Sequence, residues 1–303
     1  MKFVTVVYNQ ETHVGLMDAK CQKVLLLNEV EQERTGIKKI PDSLVECIAM
    51  GEGFIRQAKE LKDWVETNGR AASLYKPLNK VTLLAPIPRP GKNIFCIGKN
   101  YREHAIELGS EADVPEHIMV FTKAPTTVIG PNEVVLSHRE VTSQLDYEGE
   151  LAVVIGKRGR AIKREEALDY VFGYTIINDV TARDLQSRHK QFFIGKSLDT
   201  TCPMGPWIVD KSEIDNPNHL NIETRVNGEV RQSSNTEKFI FPIEEIISVL
   251  SAGMTLEPGD IISTGTPAGV GKGMKPPKFL RPGDKVEVTI EKIGTLVNRI
   301  GDE

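Results

Sequence analysis

The run Asp146-Tyr147-Glu148-Gly149-Glu150 sets two glutamates one residue apart at the head of an apolar stretch, LAVVIG. In a strand, residues two apart project from the same face, so Glu148 and Glu150 point together while Gly149 leaves the opposite face bare. Two adjacent carboxylates repel unless a proton or a cation sits between them. An isolated Glu-x-Glu is also what a solvated strand end presents; the apolar continuation tilts this one toward function. Asp146 shares the face and competes as a ligand. Asp179 ends a second apolar stretch, GYTIIN, and precedes TARDLQ, a turn into a helix. A carboxylate there is a common address for a site, and equally an ordinary cap or turn residue. Two glutamates and an aspartate form a hard, all-oxygen donor set suited to Mg²⁺ or Mn²⁺, with Ca²⁺ a further option. Zn²⁺ is disfavoured, since no histidine or cysteine accompanies the trio.

A second constellation is Tyr101-Arg102-Glu103-His104-Ala105-Ile106-Glu107. On a helix, His104 and Glu107 share a face, and a carboxylate beside an imidazole orients it and raises its basicity, as a general base requires. From spacing alone a surface pair is the commoner reading. Loop-like flanks allow this short helix to move as a lid. The segment from Gly265 to Gly273, GTPAGVGKG, is glycine-rich and follows a strand-like run. It fails the phosphate-loop spacing, because Thr266 stands where a glycine is needed and Gly273 where Ser or Thr is needed. It fails the dinucleotide spacing at Met274. What remains is a tight loop whose amides and Thr266 hydroxyl can hold a carboxylate, or a plain turn. Lys196, in FIGKSLDT, reads by itself as a surface lysine.

These residues need elements to position them. Strand-like stretches occur at 94–98, 133–136, 150–156, 173–179, 220–228, 260–265 and 284–300. Asn227-Gly228 marks a hairpin turn. Helical patterns are few: 101–109, 164–170, about 181–191 and 242–252. The reading is a mixed, β-dominated α/β protein without regular βαβ alternation. Before it, residues 1–75 combine short strands with a helical stretch after Pro41-Asp42-Ser43 that a Gly-x-Gly interrupts. Alternating prolines at Pro86, Pro88 and Pro90 suggest a stiff connector. The division expected is a small N-terminal α+β domain, residues 1–80, and a catalytic domain, residues 81–303.

The chain has 303 residues, with 38 basic and 42 acidic side chains and a net charge of -4. That balance gives no electrostatic reason to expect nucleic acid. Four cysteines lie far apart with no Cys-x-x-Cys pair, which fits a reducing cytoplasm better than a disulfide framework. The start turns polar too soon for a signal-peptide core, and the longest apolar runs are strand-sized, so no membrane association is expected.

Taken together, GKNYREHAIELG, LDYEGELAVVIGK, GYTIINDVTARDLQ, FIGKSLDT, CPMGPWIV, TRVNGEVRQ and STGTPAGVG resemble the fumarylacetoacetate hydrolase family, in that family's order and over most of residues 91–300. The resemblance implies a mixed β-roll, with the N-terminal segment similar to the extra domain of longer bacterial members. It implies that Glu148, Glu150 and Asp179 ligate Mg²⁺ or Mn²⁺, that His104 and Glu107 form a water-activating dyad on a lid, and that Lys196 stabilises an oxyanion. Arg183, Gln186 and Thr266 match positions that line the substrate pocket or hold its carboxylate. A homodimer acting on a small 2-oxo acid is implied as well. The fumarylacetoacetase branch carries a further metal-binding aspartate ahead of its histidine segment. Here that stretch reads Ile97-Gly98-Lys99-Asn100-Tyr101, with no acid, which is more similar to the acylpyruvase and oxaloacetate decarboxylase branch.

The activity expected first is therefore hydrolysis of a C–C bond in acylpyruvates or fumarylacetoacetate-like β-diketo acids. The alternatives are oxaloacetate decarboxylation, isomerisation or decarboxylation of 2-hydroxymuconate-type dienoates, and a non-catalytic scaffold. All three enzymatic reactions share an enolate that a Lewis-acidic cation stabilises. Substrate choice is expected from the lid and the region of Lys278 and Phe279.

Overall fold

The apolar stretches around the carboxylates are strands. In the computed structural model, which describes residues 1–69 and 71–302, they join one twelve-stranded sheet. Its main path runs Tyr75–Pro77, Lys23–Leu26, Glu11–Met17, Lys2–Tyr8, Cys202–Asp210, Val171–Asn178, Gly149–Ile155, Ile261–Ser263, Ile94–Gly98 and Met119–Lys123. A five-stranded sheet follows the order Glu229–Asn235, Asn221–Val226, Lys285–Ile290, Gly294–Gly301 and Val134–Leu136. This is the mixed, β-dominated architecture expected.

Gly149–Ile155 is central, paired with Val171–Asn178 on one side and Ile261–Ser263 on the other. Both its faces are buried. Leu151, Val153 and Ile155 pack with Ile222, Val286 and Val288 of the five-stranded sheet, while Ala152 and Val154 join a separate core on the other face. That double burial is why LAVVI reads as an unbroken apolar run instead of an alternation. The hairpin at Asn227-Gly228 forms as expected, with positive φ at both residues and Val226 opposite Glu229.

In the N-terminal segment the helical stretch divides at Gly51 into Leu44–Ala49 and Glu52–Thr67. The longer helix buries Phe54, Ala58, Leu61 and Val65, spaced to form one stripe. Phe54 lies 5.3 Å from Phe3 and 6.5 Å from Phe172, ring centroid to ring centroid. The helix thus packs on the same sheet that carries the site, where each fully buried large apolar side chain contributes about 1.5–3 kcal/mol. Lys2–Tyr8 pairs edge to edge with Cys202–Asp210, so the strands on either side of residue 80 belong to one sheet.

Cys202–Asp210 is fully buried, yet its sequence, CPMGPWIVD, hides it. Two prolines and a glycine argue against an interior strand, because proline cannot donate to the ladder. The structure accommodates them with a register shift against Val171–Asn178. Likewise 284–300 is two strands, turned at Lys292 and Gly294, which both have positive φ. Among the described residues no helix is long and apolar enough to cross a membrane.

Candidate active site and metal centre

Gly149 faces the five-stranded sheet so closely that a Cβ there would lie 2.2 Å from Thr224 Oγ1 and 2.9 Å from Val288 Cγ1. The glycine lets the two sheets close, and the alternation of the strand then turns Glu148 and Glu150 to the other side. Asp179 follows the end of Val171–Asn178, and its backbone N–H donates to Glu148 O at 2.8 Å. Carboxylate oxygens of Glu148, Glu150 and Asp179 all lie within 4.8 Å of one another, and all three residues are buried. The three carboxylates picked from the sequence do meet.

Each is held differently. Lys196 Nζ lies 2.7 Å from Glu148 Oε2 and 2.7 Å from Asp179 Oδ2, bridging them. Arg183 NH1 reaches Glu148 Oε1 at 2.7 Å. Glu150 Oε2 accepts from Ser263 Oγ at 2.6 Å and from the Gly265 N–H at 2.9 Å. Burial, and then repulsion from Asp179 and Glu148, pushes the Glu150 carboxyl up to about 8. Burial acts the same way on Glu148, but Lys196 and Arg183 outweigh it and hold that carboxyl down at about 2. Burial disfavours the charge on Lys196, and Asp179 and Glu148 outweigh that in turn, keeping it above the ordinary lysine range.

This donor set fits a divalent cation. Three hard oxygens converge, burial and repulsion together keep the Glu150 carboxyl raised, and Asp179 Oδ1 is buried without a hydrogen bond. Lys123 Nζ forms an ion pair with that oxygen at 2.8 Å and donates a hydrogen bond to Val180 O at 3.0 Å. Lys123 was not legible beforehand: a lysine after an apolar strand reads as an exposed end, and this one is completely buried.

Asp146 does not join the trio. Its carboxylate accepts from the Gly271 and Lys272 N–H groups at 2.7 and 3.0 Å and pairs with Arg183 Nε at 2.8 Å. The glycine-rich loop holds carboxylates as its composition suggests, and they are the protein's own. Gly265 N–H serves Glu150, Gly269 N–H serves Glu107 at 2.9 Å, and Gly271 and Lys272 serve Asp146. Thr266 Oγ1 donates to Gly149 O at 2.9 Å and accepts from Gln232 Nε2 at 2.7 Å, so this hydroxyl ties loop to strand.

His104 lies on the helix Arg102–Glu107, with Nδ1 3.4 Å from Glu107 Oε2. Catalytic pairs often show such long contacts before substrate closes the site. Asn100 fixes the base of this helix by donating to Phe241 O and Thr264 O and accepting from the Phe241 N–H. A cavity of about 180 Å³ brings together His104, Glu148, Glu150, Arg183, Gln186 and Lys196, with Thr266 also on its wall. Asp179 stands behind Lys196, and Glu107 behind His104. A larger cleft, about 990 Å³ beside Met1, Lys2 and Tyr75, has none of these groups, so the smaller cavity is the candidate site. Its remaining wall includes Lys99, Phe121, Phe192 and Lys272. Lys278 is instead half exposed and paired with Glu229.

A buried three-carboxylate cluster that could hold a divalent metal, with an adjacent histidine–glutamate pair and lysine, lies on a mixed strand-rich fold. The family model for the fumarylacetoacetate (FAA) hydrolase C-terminal region matches residues 93–301, and the chain belongs to that family. It is 60% identical to the oxaloacetate tautomerase YisK of Bacillus subtilis (strain 168), over 99% of this chain and 100% of the relative. Its fold is similar to a solved fumarylacetoacetate hydrolase from psychrophilic Exiguobacterium antarcticum, at TM-score 0.81 and 41% identity over 100% of both chains. The 2-hydroxyhepta-2,4-diene-1,7-dioate isomerase of Mycobacterium marinum matches at TM-score 0.72 and 29% identity, over 100% of this chain and 99% of its own.

Proposed function

We propose that this enzyme interconverts the enol and keto forms of oxaloacetate, using Mg²⁺ or Mn²⁺ held by Glu148, Glu150 and Asp179. The carrying observation is the 60% identity, over essentially the whole of both chains, to an oxaloacetate tautomerase. The cavity, about 180 Å³, has room for a four-carbon diacid. The bound cation would act as a Lewis acid on the 2-oxo or enol oxygen. Tautomerisation moves one proton from the enol oxygen to C3, so the chain must supply a proton carrier and a counter-charge. His104, oriented by Glu107, is the proton carrier in this reading. The Lys196 ammonium offsets negative charge that develops on the oxygen. Arg183 and Gln186 orient the acid, while Thr266, whose hydroxyl proton is held by Gly149 O, shapes the cavity wall. A cytoplasmic homodimer that binds neither nucleic acid nor membrane belongs to the same proposal.

The His104–Glu107 pair also favours a second reading, C–C hydrolysis of acylpyruvates, because such a pair can activate water. One experiment separates the two: enol-oxaloacetate decay, pyruvate and CO₂ are followed with Mg²⁺ or Mn²⁺ for the wild type and His104→Ala, beside a panel of acylpyruvates. The proposal expects faster enol decay that His104→Ala loses while cation binding survives. Acylpyruvate cleavage without any effect on enol decay would replace it with the hydrolase reading.

A further inference from the structure

Four lining residues of the cavity are contiguous: Arg183 NH1 donates to Gln186 Oε1 at 3.3 Å, and Lys272 Nζ to Ser187 Oγ at 3.4 Å. The other lysines of the wall are matched by carboxylates, Lys196 by Glu148 and Asp179, and Lys99 by Asp113 at 3.0 Å. Among the described residues Lys272 pairs with no carboxylate, and the Ser187 hydroxyl is its side chain's hydrogen-bond partner. Beside it, Arg183 spends Nε on Asp146 and NH1 on Glu148, yet its NH2 is buried with no hydrogen-bond partner. Arg183 is 1% exposed, so that orphaned donor is costly unless a ligand meets it. Burial and then Arg183 hold the Lys272 ammonium below the ordinary lysine range, with Asp146 pulling the other way. An ammonium with no carboxylate partner beside a guanidinium with one N–H group left over makes a seat for an anion.

The backbone holds this seat in place. Lys272 N–H donates to Asp146 Oδ2 and Gly271 N–H to Asp146 Oδ1, and Asp146 in turn grips Arg183 Nε. The lysine and the arginine are therefore registered through one buried carboxylate. If Glu148, Glu150 and Asp179 hold a cation, the 2-oxo-acid end of a substrate would turn toward it, which would leave the Lys272 seat for whatever the other end carries.

We propose that Lys272, together with the free N–H of Arg183, binds the second carboxylate of a dicarboxylic 2-oxo acid and makes the enzyme favour diacids over monoacids. The inference rests on the reading of the cavity as a 2-oxo-acid site. It assigns to Lys272 a specificity role, with no part in proton transfer.

The test is calorimetric binding of malate and lactate to the Mg²⁺-loaded protein, two 2-hydroxy acids with the same head group that differ by the second carboxylate. Wild type should bind malate at least about tenfold tighter than lactate. Lys272→Met should lower that ratio about tenfold while lactate affinity holds, and Lys272→Arg should keep most of it. Lys272 is tied into the fold by its backbone N–H, which both variants retain, and a matching melting temperature would verify folding. An unchanged ratio in Lys272→Met overturns the inference, as does a wild type that binds neither acid or does not distinguish them. A protein that prefers malate through Lys272 yet leaves enol-oxaloacetate decay unaltered supports the seat and loses the tautomerase reading.

Discussion

The Glu107 carboxylate accepts the backbone N–H of Gly269 at 2.9 Å, joining the helix that carries His104 to the glycine-rich loop 162 residues away. The same loop holds Glu150 and Asp146 through other amides. The proposed proton carrier and the three-carboxylate cluster are therefore tied to one backbone segment, and a change to Glu107 should be felt as orientation of His104.

Glu107→Gln keeps an oxygen that can accept from Gly269 but removes the charge beside the imidazole. We expect kcat to fall about 10²- to 10⁴-fold, the range supplied by a well-placed acid–base group, with melting temperature and cation affinity close to wild type. Steady-state kinetics with a thermal melt check this. Full activity would remove His104 and Glu107 from the mechanism.

Lys196 bridges Glu148 and Asp179 at 2.7 Å to each, among the described residues the one cation that touches both, beside Arg183 on Glu148 and Lys123 on Asp179. Removing one partner of a buried pair costs about 3–5 kcal/mol. Lys196→Met should therefore melt several degrees lower than wild type in EDTA, and Mg²⁺ should restore more stability to the variant than to the wild type. Equal Mg²⁺-induced shifts in both proteins would show that the ammonium does not compensate the trio.

Much of this centre was legible because its cues are short-range. Glu148-Gly149-Glu150 obeys the two-residue period of a strand, and Asp179 sits where an apolar run ends. What spacing could not give is which residues far apart in the chain meet. Lys123 and the Asp146–Arg183 pair gain meaning only from sheet pairing, and Lys272 only from the loop amides that meet Asp146: Asp146 lies in Leu145–Asp146, which pairs with Thr181–Ala182 immediately before Arg183. Lys196 became a candidate through family resemblance alone, since a surface lysine and this buried one have the same local sequence. Cys202–Asp210 escaped because its prolines deny local strand propensity, and its partners Lys2–Tyr8 and Val171–Asn178 override that.

The pH dependence of the metal-free protein follows from two opposed acids. Glu150 is raised from 4.5 to about 8, so its contribution to stability is fully present below its unfolded value and lost as pH rises toward 8. Glu148 is lowered from 4.5 to about 2, so its contribution is present above 4.5 and lost as pH falls toward 2. Between about pH 5 and pH 8 only the Glu150 contribution changes, and stability in EDTA should decline with rising pH. Mg²⁺ needs the deprotonated carboxylate, so its stabilising shift should grow over the same interval. Thermal melts across that range, with EDTA or Mg²⁺, test both slopes. Glu150→Gln should flatten the EDTA curve, and a flat wild-type curve would count against the assignment.

Gly149 offers a test that leaves every polar group of the site in place. A methyl group at this position would meet Thr224 Oγ1 and Val288 Cγ1 of the facing sheet, at 2.2 and 2.9 Å. Both atoms sit in a packed core, and overpacking of this kind costs about 1–3 kcal/mol. Part of that strain can be relieved only by moving the strand away from the five-stranded sheet, which carries Glu148 and Glu150 with it. Gly149→Ala should therefore lower the melting temperature and also weaken Mg²⁺ binding, although no ligand is altered. Thr224→Ala takes away the nearer obstacle, so the double variant should recover both properties in part. A destabilised Gly149→Ala that still binds Mg²⁺ like the wild type would separate sheet packing from the placement of the carboxylates.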